Sequence, residues 1–315
     1  MRLLDGEILF LYDVKMANPN GDPDEENKPR MDYATGRALV SDVRLKRYLR
    51  DYWLDGGLDV WVRSLDGETV TADVRLRRLA EAYKKETGDE VNLRKVDEAF
   101  VTWLLERLID VRLFGATMPI KGEGAGQGGG LTFTGPVQFN WGYSLHPAEI
   151  VESSTISSHF AGRENEYGTF GKDWRLHYAL IAFYGAVSAA RAERTRLKPE
   201  DLDRLEDALL KAIPAEATTR SKLGQFPRLY LHVRYQEGKR PFPPPGDLRD
   251  LVVFEPKEGL NPRKVRSVSD YRLDLHPLAE ALDRVGETIE EIRLWRHPEL
   301  SVHGLEDLPR VQTVG

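Results

Sequence analysis

The chain contains no cysteine in its 315 residues. That absence excludes disulfides, thiolate zinc sites, iron–sulfur clusters and a cysteine nucleophile together, and it fits a reducing compartment. Long apolar runs are also missing, since none approaches the ~18 residues a membrane span requires. The opening Met1-Arg2-Leu3-Leu4-Asp5-Gly6-Glu7 meets charge too early for a secretory signal. A cytoplasmic protein without a membrane partner is expected. Catalytic signatures are equally scarce. The histidines (His146, His159, His177, His232, His276, His297 and His303) are scattered and form no H-E-x-x-H pair. Ser153, Ser154, Thr155, Ser157 and Ser158 lie in a polar stretch with no G-x-S-x-G elbow. No cofactor or catalytic residue is expected.

Basic charge is in deficit overall, with a net charge of −6 and a pI near 5.8. Nucleic-acid binders usually carry a basic domain, so distribution matters more than the sum. Residues 13–26 hold five acids and one base. Residues 28–50 hold seven bases (Lys28, Arg30, Arg37, Arg44, Lys46, Arg47, Arg50) against two acids. A local basic patch on an acidic body is the reading.

Ile8 to Val14 reads as a buried strand. A long loop follows, stiffened by Pro19, Pro23 and Pro29, with Gly21 permitting a tight turn. A loop of this length with no secondary structure of its own is usually functional. The helix expected over Val40–Trp53 places Leu45, Tyr48, Leu49, Tyr52 and Trp53 on one side. Arg44, Lys46, Arg47 and Arg50 fall on the other, where they can neutralise phosphates; the plain alternative is a solvated helix face. Residues 58–70 suggest a hairpin, Val74–Glu86 a helix, and Val96, Phe100, Leu104, Leu108 and Val111 a second helix. Gly122–Gly130 is a glycine loop that includes Gln127 and lacks a Walker lysine. Its Gly124-x-Gly126-x-x-Gly129 precedes a strand pattern, whereas a dinucleotide fingerprint opens a helix. It serves either as a connector or as a backbone surface for phosphates.

Thr132–Tyr143 alternates, with a break at Gly135-Pro136. Residues 146–173 are polar, and Phe160, Tyr167, Phe170 and Trp174 lie in or beside them together with Arg163 and Lys172. Such interleaving either stacks on bases and holds phosphates of a single strand or anchors the insertion. Leu176–Val187 reads as a strand and Pro199 opens a helix that Pro214 closes. Leu229, Leu231, Val233 and Tyr235 alternate with Arg228, Tyr230, His232 and Arg234, as in a half-buried strand. Leu278, Leu282, Val285, Ile289 and Ile292 predict a C-terminal helix. The acids Asp22, Asp24, Glu25 and Glu26 fail the EF-hand count, which would put Met16 at the first ligand position.

The strongest elements therefore run β, α, β, β, α, β, the α+β ferredoxin-like order shared by RNA-recognition domains and by proteins that bind no RNA. The expected organisation is a palm over 1–255, interrupted by insertions at about 56–130 and 146–173, and a helical extension over 256–315.

The strand, shaped loop and basic helix resemble the opening of the backbone subunits of type I CRISPR Cascade complexes. These are the Cas-seven family of the RAMP superfamily, in particular its Csd/Csh branch. The likeness spans about Ile8 to Val252. It is carried by residues 17–47, Asp110–Ala116, Thr134–Phe139, Gly168–Lys172 and Leu197–Leu202. Trp141-Gly142-Tyr143-Ser144-Leu145 is more similar to the Csh (type I-B) group than to the Csd (type I-C) group.

The resemblance implies an RNA-recognition-like palm, with 56–130 as finger or web and 146–173 as thumb. It implies partners too: a CRISPR RNA, further copies of the chain polymerised along it, other Cascade subunits, and target DNA reached through the guide. It implies RNA contacts at Asn18, Asn20, Arg30, Ser41, Lys46, Arg47, Arg163 and Lys172, beside the candidates Arg50, Gln127, Phe160 and Phe170. Three readings compete: a non-catalytic RNA-filament subunit, a type III-like relative that cleaves target RNA, and a ferredoxin-like enzyme or interaction domain unrelated to RNA.

Overall fold

The computed structural model describes residues 3–64, 70–93, 95–120, 129–158 and 169–315. The chain forms two compact units. The larger comprises residues 6–48, 139–185 and 209–315, and the smaller residues 1–5, 49–138 and 186–208.

The larger unit is organised by strand β1 (Gly6–Ala17), whose residues are buried from Gly6 to Val14. Unbroken burial on both faces explains why Ile8–Tyr12 is an unbroken apolar run rather than an alternating one. Its sheet also contains β2 (Met31–Asp32), β3 (Arg37–Val40), β4 (Gly142–Ser144), β5 (Leu176–Val187), β6 (Gln225–Tyr235), β7 (Ile289–Arg296) and β8 (Val311–Thr313). The strand order is β8-β7-β6-β1-β5-β4-β3-β2. β1 and β6 are antiparallel, with Ile8 opposite His232 and Phe10 opposite Tyr230. With helix α1 (Asp42–Asp55) and the helix Pro199–Glu216, the sequence β1, α1, β4, β5, helix, β6 lies in the sheet as fourth, first, third, second strand. One core collects Leu9 and Leu11 of β1, Leu229 and Leu231 of β6, Ile289 and Ile292 of β7, and Leu278 and Leu282 of the helix His276–Asp283.

Several expectations are corrected. The C-terminal helix ends at Asp283, and Ile289–Arg296 is a strand. Gly286-Glu287-Thr288 breaks the helix as a 3-10 turn, and the next segment satisfies the edge of β6 in an antiparallel ladder. Residues 256–315 are thus not a helical extension, because they supply two strands of the main sheet. β6 is not half-buried either. It lies between β1 and β7, and Arg228, Tyr230, His232 and Arg234 are all buried. Arg228 is neutralised by Asp13 at 2.8 Å and Arg234 by Glu291.

The loop after β1 carries structure of its own. Gly21–Asp22 pairs with Lys28–Pro29 around a 3-10 turn at Pro23–Glu25. Asp22 caps that turn, and Glu26 and Asn27 take positive φ (50° and 59°) to close it. Pro214 lies inside its helix, which continues to Glu216.

The smaller unit packs the helices Ala72–Thr87 and Glu98–Arg107 around Leu76, Leu79, Leu104 and an aromatic cluster. Tyr83 meets Phe100 and Trp103 edge-on at 5.3 and 5.6 Å. Thr71 and Asp97 cap the two helices. No hairpin forms in the described part of 58–70. The Asp110 carboxylate takes the Trp61 N–H at 2.7 Å and fixes this segment in another way. Arg112 grips Asp201 through Nε and an Nη, both at 2.7 Å, in a buried fork. Gly115 has φ 76°, and a Cβ there would sit 2.1 Å from the Phe133 carbonyl oxygen. Gly115–Ile120 and Gly129–Thr134 form a hairpin; Gln127 lies outside the described residues. Among the described residues no helix is long and apolar enough to cross a membrane.

Candidate nucleic-acid interface

The loop that leaves β1 is braced by the polar residues singled out in it. Asn18 is buried. Its N–H donates to the Ser221 carbonyl at 2.7 Å and its Nδ2 to the Asn27 carbonyl at 2.7 Å. The Asn20 carboxamide oxygen accepts from both the N–H and the hydroxyl of Ser41, each at 2.9 Å. Ser41 in turn accepts the Arg44 N–H at 3.3 Å and caps α1. Arg30 pairs with Asp22 at 3.0 Å. Asn18, Asn20 and Ser41 therefore set the shape of the loop and the start of the helix.

The basic face of α1 differs from the expectation of a row of free cations. Lys46 is buried and bound to Asp42 at 2.9 Å. Within the smaller unit, Arg50 Nε donates to the buried Asp110 at 2.8 Å. Arg47 is half-buried. Helical projection gives the direction of a side chain but not which carboxylate waits there.

What the larger unit does present is a set of cations resting on aromatic rings. Lys28 Nζ and Lys172 Nζ lie 4.9 and 5.7 Å from the ring centre of Trp174. Arg30 lies 5.7 Å from Trp141, which is 44% exposed. Arg37 and Arg249 lie 5.1 and 4.3 Å from Tyr143, whose pKa burial pushes up to about 12. Arg44 lies 3.9 Å from Tyr48. Such pairs hold a flexible cation in place at modest cost. An exposed indole beside an arginine offers a base a stacking surface and a phosphate a charge.

Lys172 belongs to a short hairpin in which Thr155–Ser158 pairs with Thr169–Lys172, and its Nζ donates to the Thr155 hydroxyl at 3.2 Å. The Phe170 backbone lies opposite Ser157 in that hairpin. Phe160 and Arg163 fall outside the described residues.

Sequence reasoning missed Lys222 and Arg249 altogether. Lys222 Nζ donates to the Asn18 carbonyl at 2.6 Å across 204 positions of chain. Burial, and then the Arg44 charge, lower its pKa to about 8. No periodicity marks a lone lysine in a loop, so nothing in the sequence could have found it. Trp141 was legible as one residue of an alternating strand and as the start of the Trp141–Leu145 resemblance, but not as a partner of Arg30, which is 111 positions away.

The family model described as CRISPR-associated protein Cas7 matches residues 5–276. The CRISPR-associated protein Cas7 of Haloferax volcanii is 34% identical over 301 residues, covering 91% of this chain and 85% of that protein. Among solved structures, a chain of a CRISPR RNA-guided surveillance complex in a pre-nicking state is similar in fold, with TM-score 0.50 and 15% identity over 99% of this chain and 96% of that one. A chain of another CRISPR RNA-guided surveillance complex gives TM-score 0.51 and 15% identity over 98% and 94%. With the family match covering most of its length, this chain belongs to the Cas7 family of CRISPR-associated proteins.

Proposed function

We propose that the chain is a non-catalytic backbone subunit that holds CRISPR RNA in a type I Cascade surveillance complex. In this reading several copies polymerise along one guide, other Cascade subunits join them, and target DNA is reached through the guide, in the cytoplasm. The observation that carries the reading is the set of cation–aromatic pairs Lys28–Trp174–Lys172 and Arg30–Trp141, in a chain of this family. Stacking surfaces and fixed charges on a shaped loop suit a single strand held by its backbone. Contacts of this kind carry no sequence information, as a subunit that serves every guide requires.

The fourth-first-third-second strand order supports a ferredoxin-like, RNA-recognition-like palm. Residues 56–130 then serve as finger or web and 146–173 as thumb. The subtype is placed in the Csd/Csh branch, as type I-B. Arg30 and Lys172 are assigned direct contacts with RNA. Asn18, Asn20 and Ser41 are assigned the shaping of the loop that makes them. Arg47, Gln127, Phe160, Arg163 and Phe170 stay as proposed contacts; Lys46 and Arg50, both bound to carboxylates, are assigned to the scaffold.

The test is copurification. The chain expressed with its partner subunits and a CRISPR array should carry small RNA of uniform length, at more than one copy of the chain per RNA. Protein free of nucleic acid, or bound to RNA of random length, would sink the reading and favour an interaction domain unrelated to RNA.

A further inference from the structure

We infer that the proline-rich segment Pro241–Pro245 of one copy docks, led by the Phe242 ring, in an aromatic-lined groove beside the strands Val253–Pro256 and Tyr271–Asp274 of a second copy. The choice of occupant rests on the reading of the chain as a polymerising subunit. The contact itself involves protein alone.

Phe242 is 97% exposed, the most of any large apolar side chain among the described residues; Tyr33 follows at 68%. A lone exposed apolar residue is ordinary on a protein surface. This one differs in how it is held. Pro241 is buried and roots the segment, and Pro243, Pro244 and Pro245 follow the ring. Each proline fixes its own φ. The ring is therefore presented with little freedom left to lose on binding, which is where much of the cost of association lies. A large aromatic in such a place is the usual kind of interface anchor.

The groove is a cavity of about 760 Å³ lined by Phe254, Pro256, Val268, Ser269 and Tyr271. That size is typical of sites that enclose a ligand, and it is ample for one ring and the prolines beside it. The Phe254 and Tyr271 rings lie 4.5 Å apart, and Phe254 rests on His146 at 4.5 Å, so the aromatic floor is already fixed. Proline-rich segments are characteristically taken by aromatic-lined grooves. Charge agrees as well. Residues 238–246 carry Lys239 and Arg240 and no acid. Around the groove Glu255, Glu258 and Glu299 outnumber Lys257 and Arg272.

Placement points to a copy of this chain. The segment leaves the end of β6 at Tyr235, whose hydroxyl donates to Glu7. The groove belongs to the other end of β1. Tyr271 meets the Tyr178 hydroxyl, which donates to Asp13, and Glu299 pairs with Arg228, which also holds Asp13. Glu7 and Asp13 are six residues apart along β1, about 20 Å at the rise of a strand. A knob toward one end of a sheet and a matching hole toward the other make a head-to-tail interface, which propagates from copy to copy.

The test is made in the complex copurified with its guide. A photo-cross-linking phenylalanine analogue in place of Phe242 should join two copies, and mass spectrometry should place the link within residues 254–271. F242A and S269W alter exposed positions, so both should keep the wild-type melting temperature. Each should lower the number of copies per RNA at least twofold, and the double variant should lower it no further. A link from position 242 to a different subunit, or to another face of the copy, overturns the proposal, as does an unchanged copy number in F242A. A wild type that carries RNA but gives no link sinks this contact alone. A chain that recovers no RNA yet still links position 242 to the groove of a second copy upholds the contact and sinks the functional reading. Neither RNA nor link overturns both.

Discussion

His146 is held neutral by its neighbours. Its Nε2 lies 3.3 Å from the Leu180 N–H, which can only donate, so Nε2 must accept. Nδ1 therefore carries the proton and faces the Pro147 and Pro262 carbonyls at 2.9 and 3.1 Å. The ring stacks on Phe254 at 4.5 Å. Protonation would cost the Leu180 bond and place a charge among apolar rings, and burial lowers the pKa to about 4. Between pH 4 and about 6.5 the unfolded chain binds a proton that the native chain refuses. Stability therefore rises with pH through that window and is lost as pH falls through it, by about 2–3 kcal/mol from pH 7 to pH 4.5 for this one group. His146→Gln should be less stable than wild type at pH 7, yet lose about that much less on acidification. Urea titrations at the two pH values check it, and equal acid sensitivity in the two proteins refutes it. Residues of this kind were illegible in the sequence, where His146 is one of seven scattered histidines. By contrast, the stretches Asp110–Ala116 and Leu197–Leu202 stood out early. Their purpose is architectural: Arg112 of the first holds Asp201 of the second in the buried fork, and Asp110 anchors both Arg50 and Trp61.

At the scale of elements, what sequence pattern revealed depended on whether local and tertiary preferences agreed. Leu176–Val187 and Pro199–Glu216 begin where expected, because an apolar run and a Pro-Glu-Asp start leave little choice. The segment 285–292 was misread because Val285, Ile289 and Ile292 keep helical spacing. A three-residue turn at Gly286 and the open edge of β6 outweigh that spacing. This has a consequence for truncation. Val265, Leu273, Leu278, Leu282, Ile289, Ile292 and Leu300 belong to the same core as β1 and β6. A chain ending at Glu255 should fail to fold the larger unit, since each such residue removed from a core costs ~2–5 kcal/mol against a total of about 5–15 kcal/mol. Circular dichroism and hydrogen exchange of the truncated protein test this. A cooperative melt with β1 amides still protected would show that residues 256–315 are an appendage.

For the whole molecule, a local excess of cations over residues 28–50, seven bases against two acids, reconciles a net charge of −6 with the proposed anionic partner. The loop after β1 holds the acids Asp22, Asp24, Glu25 and Glu26, the dense acid cluster that an RNA-cleaving relative could draw on. Metal-assisted cleavage of a phosphodiester needs carboxylates that converge on a cation or a positioned base. Here Asp22 and Glu25 of that cluster, and Asp32 beyond it, are engaged in holding the loop. Asp22 accepts from Arg30 with one oxygen and from the Asp24 N–H with the other, at 3.0 and 3.2 Å. Glu25 accepts from the Tyr33 hydroxyl at 2.6 Å, and Asp32 from the Ala34 N–H and the Thr35 hydroxyl at 3.0 and 2.6 Å. A carboxylate engaged in this way would have to give up a charge-assisted bond, worth ~1.5–3 kcal/mol, before it could serve a metal. The expectation is that the assembled complex, supplied with magnesium and complementary RNA or DNA, binds the strand and leaves it whole. Asp22→Ala should loosen the loop and weaken guide binding, because Arg30 then loses the partner that fixes it. Gel electrophoresis of the recovered strand decides the matter: cuts at regular intervals that vanish in Asp22→Ala would make the subunit a nuclease and this reading wrong.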